Sequence, residues 1–165
     1  MLTYNHLKLK PLLFTFATLA AVNSTNAVAE WMQPQRIINM GTVVPSTGNC
    51  TFDPVTLVMS SPSDLCIGGE ALGHVKIFGP ANQMQKIKLH PMNDTDTGIR
   101  FDPKGRLVNN LGDDISAPIA GGETWIRIGS DGVLDIYIGG TLTLSQKLSS
   151  NFIASIDVDI EYNRP

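Results

Sequence analysis

The sequence predicts an all-β fold: an antiparallel β-sandwich of immunoglobulin-like or jelly-roll-like type, either complete or short of one strand. Three observations carry this. Ile156, Val158, Ile160 and Tyr162 alternate with Asp157, Asp159 and Glu161, the period of a strand with one buried and one wet face. Leu134, Ile136 and Ile138 alternate in the same way with Asp135 and Tyr137, and Leu142 and Leu144 resume the pattern after Gly139 and Gly140. Beyond residue 29 no stretch offers a capped helical period, while turn-forming clusters recur about every ten residues.

In chain order, the expected strands cover residues 37–44, 51–59, 74–78, 85–90, 99–101 and 124–128, then the long segment around 133–144 and the last one at 156–162. That makes about eight or nine strands. Residues 60–64 and 93–98 are loops by composition. Asp102, Pro103, Lys104 and Gly105 read as a tight turn, with proline where φ is fixed. Ser130, Asp131 and Gly132 read as a hairpin turn between Ile128 and Val133. Residues 109–122 show little periodicity and read as a long loop. The Gly139-Gly140 pair reads as a bulge or sharp bend inside one long strand.

The first 29 residues read as a secretory signal peptide. Lys8 and Lys10 form a positive start without acids, residues 12–22 are apolar apart from Thr15 and Thr18, and Ala27-Val28-Ala29 is a cleavage signature. An apolar run of about 11 residues is well short of the ~20 that span a bilayer. The mature chain is then residues 30–165, 136 residues forming one domain with no integral membrane segment. Of 12 Lys+Arg, two leave with the signal, so 10 face 15 Asp+Glu, a net charge of −5. Without a basic patch, nucleic-acid binding has no electrostatic footing. Cys50 and Cys66 lie 16 residues apart. In an oxidising compartment they are expected to form a structural disulfide, worth about 3 kcal/mol in the chain-entropy account. A redox pair would favour C-x-x-C spacing, and a zinc site would need further ligands.

The residues carry no recognisable catalytic, cofactor or metal pattern. His74 and His90 lie in or at the end of expected strands and lack metal spacing. There is no G-x-S-x-G elbow, P-loop or dinucleotide fingerprint. Asp157, Asp159 and Glu161 share the polar face of a strand, which suits solvent better than a glycosidase pair. Aligning Gly98 with the sixth position of an EF-hand loop puts Lys104 where the bidentate acid belongs, which rejects that site. Trp31 and Trp125 read as sheet or terminal aromatics rather than sugar platforms. The chain is therefore expected to be non-enzymatic and to need no cofactor.

The run from Val133 to Leu144, with Gly139-Gly140-Thr141-Leu142 at its centre, followed by Phe152 and the alternation to Tyr162, resembles a family of exported bacterial β-sandwich domains. That family carries a domain-of-unknown-function label. Ile38-Asn39-Met40-Gly41-Thr42-Val43 is similar to its opening pattern. This chain has Met40 where the family prefers an aromatic, and Ser150, Phe152 and Ala154 where it prefers Gly, Tyr and Gly. The cysteine pair is not a family feature. Members resemble pilins secreted by chaperone–usher routes.

The resemblance implies a non-catalytic subunit of a bacterial surface fimbria or pilus-like assembly, with a role in cell adhesion. Copies or related subunits would join by donor-strand addition. A periplasmic chaperone and an outer-membrane usher are the implied partners, and the cell surface the implied location. The candidate donor segment carries Trp31, Ile37, Ile38 and Met40, with Pro34 interrupting its hydrogen bonding. Ile156, Val158, Ile160 and Tyr162 are the candidate strand-exchange or chaperone edge. Pilins also resemble one another in a glycine about a dozen residues before a near-terminal tyrosine, and no glycine lies between Thr141 and Pro165. The other reading is a self-complete secreted β-sandwich binding module for a carbohydrate or surface ligand.

Overall fold

Alternating apolar residues can be buried on one face only if a second layer covers them, and this chain supplies two such layers. A computed structural model describes residues 30–117, 122–156 and 158–163. The expected signal peptide, residues 1–29, lies outside them. The described residues form fourteen strands and no helix. These are β1 (Trp31–Arg36), β2 (Ile38–Val43), β3 (Gly48–Phe52), β4 (Met59–Ser60), β5 (Cys66–Ile67), β6 (Gly73–Phe78) and β7 (Met84–Leu89). They continue with β8 (Met92–Asp94), β9 (Ile99–Val108), β10 (Asp114–Ala117), β11 (Glu123–Arg127), β12 (Val133–Leu144), β13 (Phe152–Ile156) and β14 (Ile160–Asn163). All pairings are antiparallel. No helix among the described residues is long and apolar enough to cross a membrane.

The front layer is an eight-stranded sheet built on β12. On one edge, Val133 to Ile138 pair with β6 and Gly140 to Leu144 pair with β3. On the other edge, β9 runs alongside from Asp135 to Leu144. The back layer consists of two three-stranded sheets, β11-β7-β14 and β13-β2-β5. Between the layers lie two apolar cores. One gathers Ile38, Met40, Val43, Phe52, Phe101, Leu142 and Ile156 around Cys50 and Cys66. The other gathers Ile77, Ile87, Leu107, Ile126, Leu134, Ile136 and Ile160. Val158 packs against both. The sandwich and the Cys50–Cys66 disulfide are as expected. The disulfide ties β3 of the front layer to β5 of the back layer.

Several local expectations need correction. Residues 102–105 are not a turn; they lie inside β9. Pro103 is tolerated because β8 covers the outer edge of β9 only at Ile99 to Phe101, and β10 only at Gly105 to Val108. Among the described residues no strand pairs with Pro103 on that edge, where a missing N–H is tolerated. The stretch read as one long loop over 109–122 contains β10, which returns along β9. Residues 130–132 do form a turn, but it joins β11 of the back layer to β12 of the front, so it links layers and is no hairpin. The expected strand at 51–59 breaks after Phe52 into a turn and resumes as β4. The terminal strand is divided between two sheets as β13 and β14.

The turn after β3 is held by Asp53. Its Oδ1 accepts the backbone N–H groups of Val55 (2.8 Å) and Thr56 (3.0 Å), and its Oδ2 accepts Lys104 Nζ at 2.6 Å. Within β12, the bend at the glycine pair is where the paired partner changes from β6 to β3. A Cβ on Gly139 would run into the Phe52 carbonyl oxygen, and one on Gly140 into the Asp102 carbonyl. Gly140 also has φ +149.

Gly140→Ala is expected to destabilise the fold by about 2–3 kcal/mol, read by urea unfolding, because it adds both a clash and a strained backbone. The Asp53 carboxyl is held at about 2, below its ordinary 3.8. The hydrogen bond from Lys104 is the main cause, and the backbone N–H of Thr56 adds to it against the opposing effect of burial. Its folded pKa is depressed, so its stabilisation is complete above the unfolded value and is lost as pH falls through about 2. Asp53→Asn keeps the backbone acceptor and loses the ion pair. It should cost about 1 kcal/mol at neutral pH and flatten the acid limb of the melting temperature between pH 4 and 2.

Candidate functional site

The residues singled out in segment 31–43 and in 156–162 meet on one side of the sandwich. Segment 31–43 crosses from the front layer to the back. Its first half, β1, adds to the edge of β6, where Trp31 stacks on Phe78 with ring centroids 4.1 Å apart. The register shifts between Pro34 and Arg36. Arg36 Nε donates to the Leu72 carbonyl at 2.6 Å. Ile37 sits at the crossing and is 58 % exposed. The second half, β2, then enters the back layer between β13 and β5. Ile38, Met40 and Val43 are fully buried in the core. Gly41, at φ +82, lets the chain pass the Gly68 carbonyl at a distance no side chain would allow. At its start the segment is anchored by Gln85 Nε2, which donates to Glu30 Oε1 at 2.7 Å.

The segment is not free; it is paired within its own domain. Ile38 and Met40 alternate at apolar positions, and the nearest unfilled apolar surface is that of their own core, so burial in cis satisfies them. Trp31 and Ile37 remain largely exposed.

The terminal strands pass alongside. Ile156 and Ile160 are buried, while Val158 and Tyr162 are half-buried against the cores. All four point inward, in keeping with their alternation. Between them the chain steps from one back sheet to the other, and Asp159 O accepts the His90 N–H at 3.0 Å. β13 pairs only with β2 and β14 only with β7, so each keeps one edge without a strand partner among the described residues. Glu161 meets His90 Nε2 at 3.2 Å on the outer side of this step.

Between the segment and these strands lies an apolar groove with a cavity of ≈ 50 Å³. Met32, Pro34, Ile37 and Ile38 form one wall, and Val75, Ile138, Ile156, Val158 and Ile160 the other. Arg36 stands at its rim and Gly73 at its floor. Val75 and Ile138 sit at inward positions of β6 and β12, which their alternation made legible as core. That they wall a groove was not legible, because it depends on where segment 31–43 changes layers. The Cys50–Cys66 link borders the slot of β2, since Cys66 pairs with Val43.

Comparison with known proteins adds no relative: no family model, curated protein or solved structure matches this chain.

Ile38→Ala and Met40→Ala are each expected to destabilise the domain by about 2–5 kcal/mol in urea unfolding, because each leaves a cavity in a filled core. Ile153→Ala, at a side chain 68 % exposed, is expected to stay within about 0.5 kcal/mol.

Proposed function

We propose that this protein is a non-catalytic structural subunit of a bacterial surface assembly of fimbrial or pilus-like type, whose copies join by exchanging the N-terminal segment 30–43. The observation that carries this is the groove between that segment and the terminal strands. Removing the segment would open an apolar slot lined by Ile138, Ile156, Val158 and Ile160. It is joined to the rest by only residues 44–47, which include Pro45. A segment that leaves its own domain and enters a neighbour's makes the same pairings with β6, β13 and β5 in trans. Such head-to-tail transfer builds filaments when it does not close. The disulfide supports this reading, since it holds β3 and β5 together beside the vacated slot.

The resemblance to exported pilin-like domains points the same way. On this reading residues 1–29 direct export, the Cys50–Cys66 bond forms in the periplasm, and a chaperone and usher handle the subunit before it reaches the cell surface. The edge carrying Ile156, Val158, Ile160 and Tyr162 is then the surface that the chaperone covers.

A second reading is favoured by the burial of Ile38 and Met40 in cis. It is a self-complete secreted binding module that uses the sandwich as a rigid scaffold.

One experiment separates the two. Residues 30–165, made in an oxidising compartment without a chaperone, are sized by light scattering and melted with and without a peptide of residues 30–44. A variant lacking residues 30–43 is treated alongside. The exchange reading expects concentration-dependent oligomers of the full chain, and a fragile variant whose melting temperature the peptide raises. A monomer at all concentrations, together with a truncated variant that ignores the peptide, would overturn it in favour of the binding module.

A further inference from the structure

The outer face of the front sheet carries a second concavity, unrelated to the groove. Cross-strand register sets four side chains in a row. Arg36 on β1 lies opposite His74 on β6, His74 opposite Tyr137 on β12, and Tyr137 opposite Arg106 on β9. The two rings stack with centroids 4.7 Å apart and planes 11° from parallel, so the centre of the row is a flat aromatic surface. An arginine stands at each end. Beside this floor stands the turn after β3, and an open cavity of ≈ 240 Å³ is lined by Arg36, Arg106, Tyr137, Pro54, Leu57 and Leu72.

Both arginines are held in place with donors to spare. Arg106 gives Nε and Nη2 to the two oxygens of Asp114, at 2.9 and 2.6 Å. Arg36 gives Nε to the Leu72 carbonyl and has no carboxylate partner among the described residues. A guanidinium has five N–H donors, so Arg36 keeps all four Nη hydrogens, while Arg106, with its Nε/Nη2 side filled by Asp114, keeps three. The nearby acid Asp135 is engaged by His74 (2.6 Å) and Lys76 (2.9 Å) and does not neutralise Arg36. The uncompensated positive charge at the cavity is therefore that of Arg36, since Arg106 is paired with Asp114.

The apolar wall is built at a conformational cost. Leu57 adopts φ +60, a region unfavourable for a residue with a Cβ, yet its side chain is 60 % exposed. Core burial does not repay that strain. It is imposed by Asp53, whose carbonyl accepts the Leu57 N–H at 2.9 Å and whose carboxylate ties the turn to Lys104. Gly139 allows this close approach, because a Cβ there would meet the Phe52 carbonyl and, at 3.0 Å, Pro54. Strain maintained at the mouth of a charged cavity is a mark of a binding site.

We propose that this cavity binds a compact ring that carries a carboxylate. The carboxylate is taken by the free Nη pair of Arg36, whose planar donors match its geometry, with a remaining Arg106 N–H on its other side. The ring lies over Tyr137 against Leu57, Leu72 and Pro54. The volume is below the ~300 Å³ at which drug-sized pockets begin, so it suits one ring rather than a chain of them. A uronic acid and an aromatic carboxylate share this chemistry. The site does not rest on segment exchange: an exchanged segment would bring a neighbour's Arg36 to the same place.

The test uses the oxidised chain of residues 30–165, labelled with ¹⁵N and titrated with glucuronate, with benzoate and with neutral glucose. Saturable shifts are expected at Leu57, Tyr137 and Arg106 for at least one acid below about 50 mM, and none for glucose. Whichever acid saturates identifies the source of the ring. Arg36→Gln is expected to weaken that binding by at least roughly tenfold with an unchanged melting temperature. Leu57→Gly is expected to weaken it as well while the melting temperature holds or rises, since glycine relieves the strained φ. No saturation by either acid, equal binding of glucose, or full binding by Arg36→Gln would each overturn the proposal.

Discussion

The pairing of β12 with three partners at once is the constraint on which the rest of the molecule depends. One edge must serve β6 and then β3, while the other serves β9 without interruption. The strand can do this because Gly139 and Gly140 admit the Phe52 and Asp102 carbonyls where any side chain would push them away. That switch divides the interior into two cores stacked along β12, and so asks for two back sheets in place of one. The strand also presents Leu134, Ile136, Ile138, Leu142 and Leu144 inward in an unbroken row. Both cores are thus anchored on the same backbone.

Two covering sheets need elements that pass between them, and segment 31–43 and the stretch from β13 to β14 provide them. Segment 31–43 crosses from front to back at Ile37, and the terminal strand changes back sheets between Ile156 and Ile160. These crossings run side by side, and neither fills the space between them, which is why the apolar groove lies there. Exchange of the segment would leave nearly every contact chemically unchanged. The balance between cis and trans is then governed by the short connection at 44–47 and by effective concentration. The outer face of the front sheet has a different economy: its charged and aromatic side chains are ordered by register alone, and the turn held by Asp53 converts a flat surface into a cavity.

Legibility followed how local each signal is. The alternation in 133–144 and 156–162, the glycine pair, and the disulfide could be read from neighbouring residues. Pro103 misled because a proline two residues before a glycine usually marks a turn. Its tolerance depends on its having no strand partner on that edge among the described residues, which no local window contains. Ser130 to Gly132 formed the expected turn, but whether a turn joins strands of one sheet or of two layers depends on which partners the flanking strands find. Residues 114–117 have too little alternation to announce a strand and are recruited by the exposed edge of β9. Of the candidate exchange residues, the inward set at 156–162 was legible from its period. The cis pairing of Ile38 and Met40 was not.

The sequence by itself determined the class of fold, the covalent link between Cys50 and Cys66, the direction in which each alternating residue faces, and the absence of any compact catalytic motif. These follow from side-chain period and from chemistry carried within a few residues. Only the tertiary structure decided which strands share an edge, where the layers are crossed, and that Arg36, Tyr137 and Arg106 fall into one row. Strand pairing is settled by backbone hydrogen bonds, which are the same for every residue type. Their choice among partners is made by the closure of the whole core and leaves little trace in any single segment.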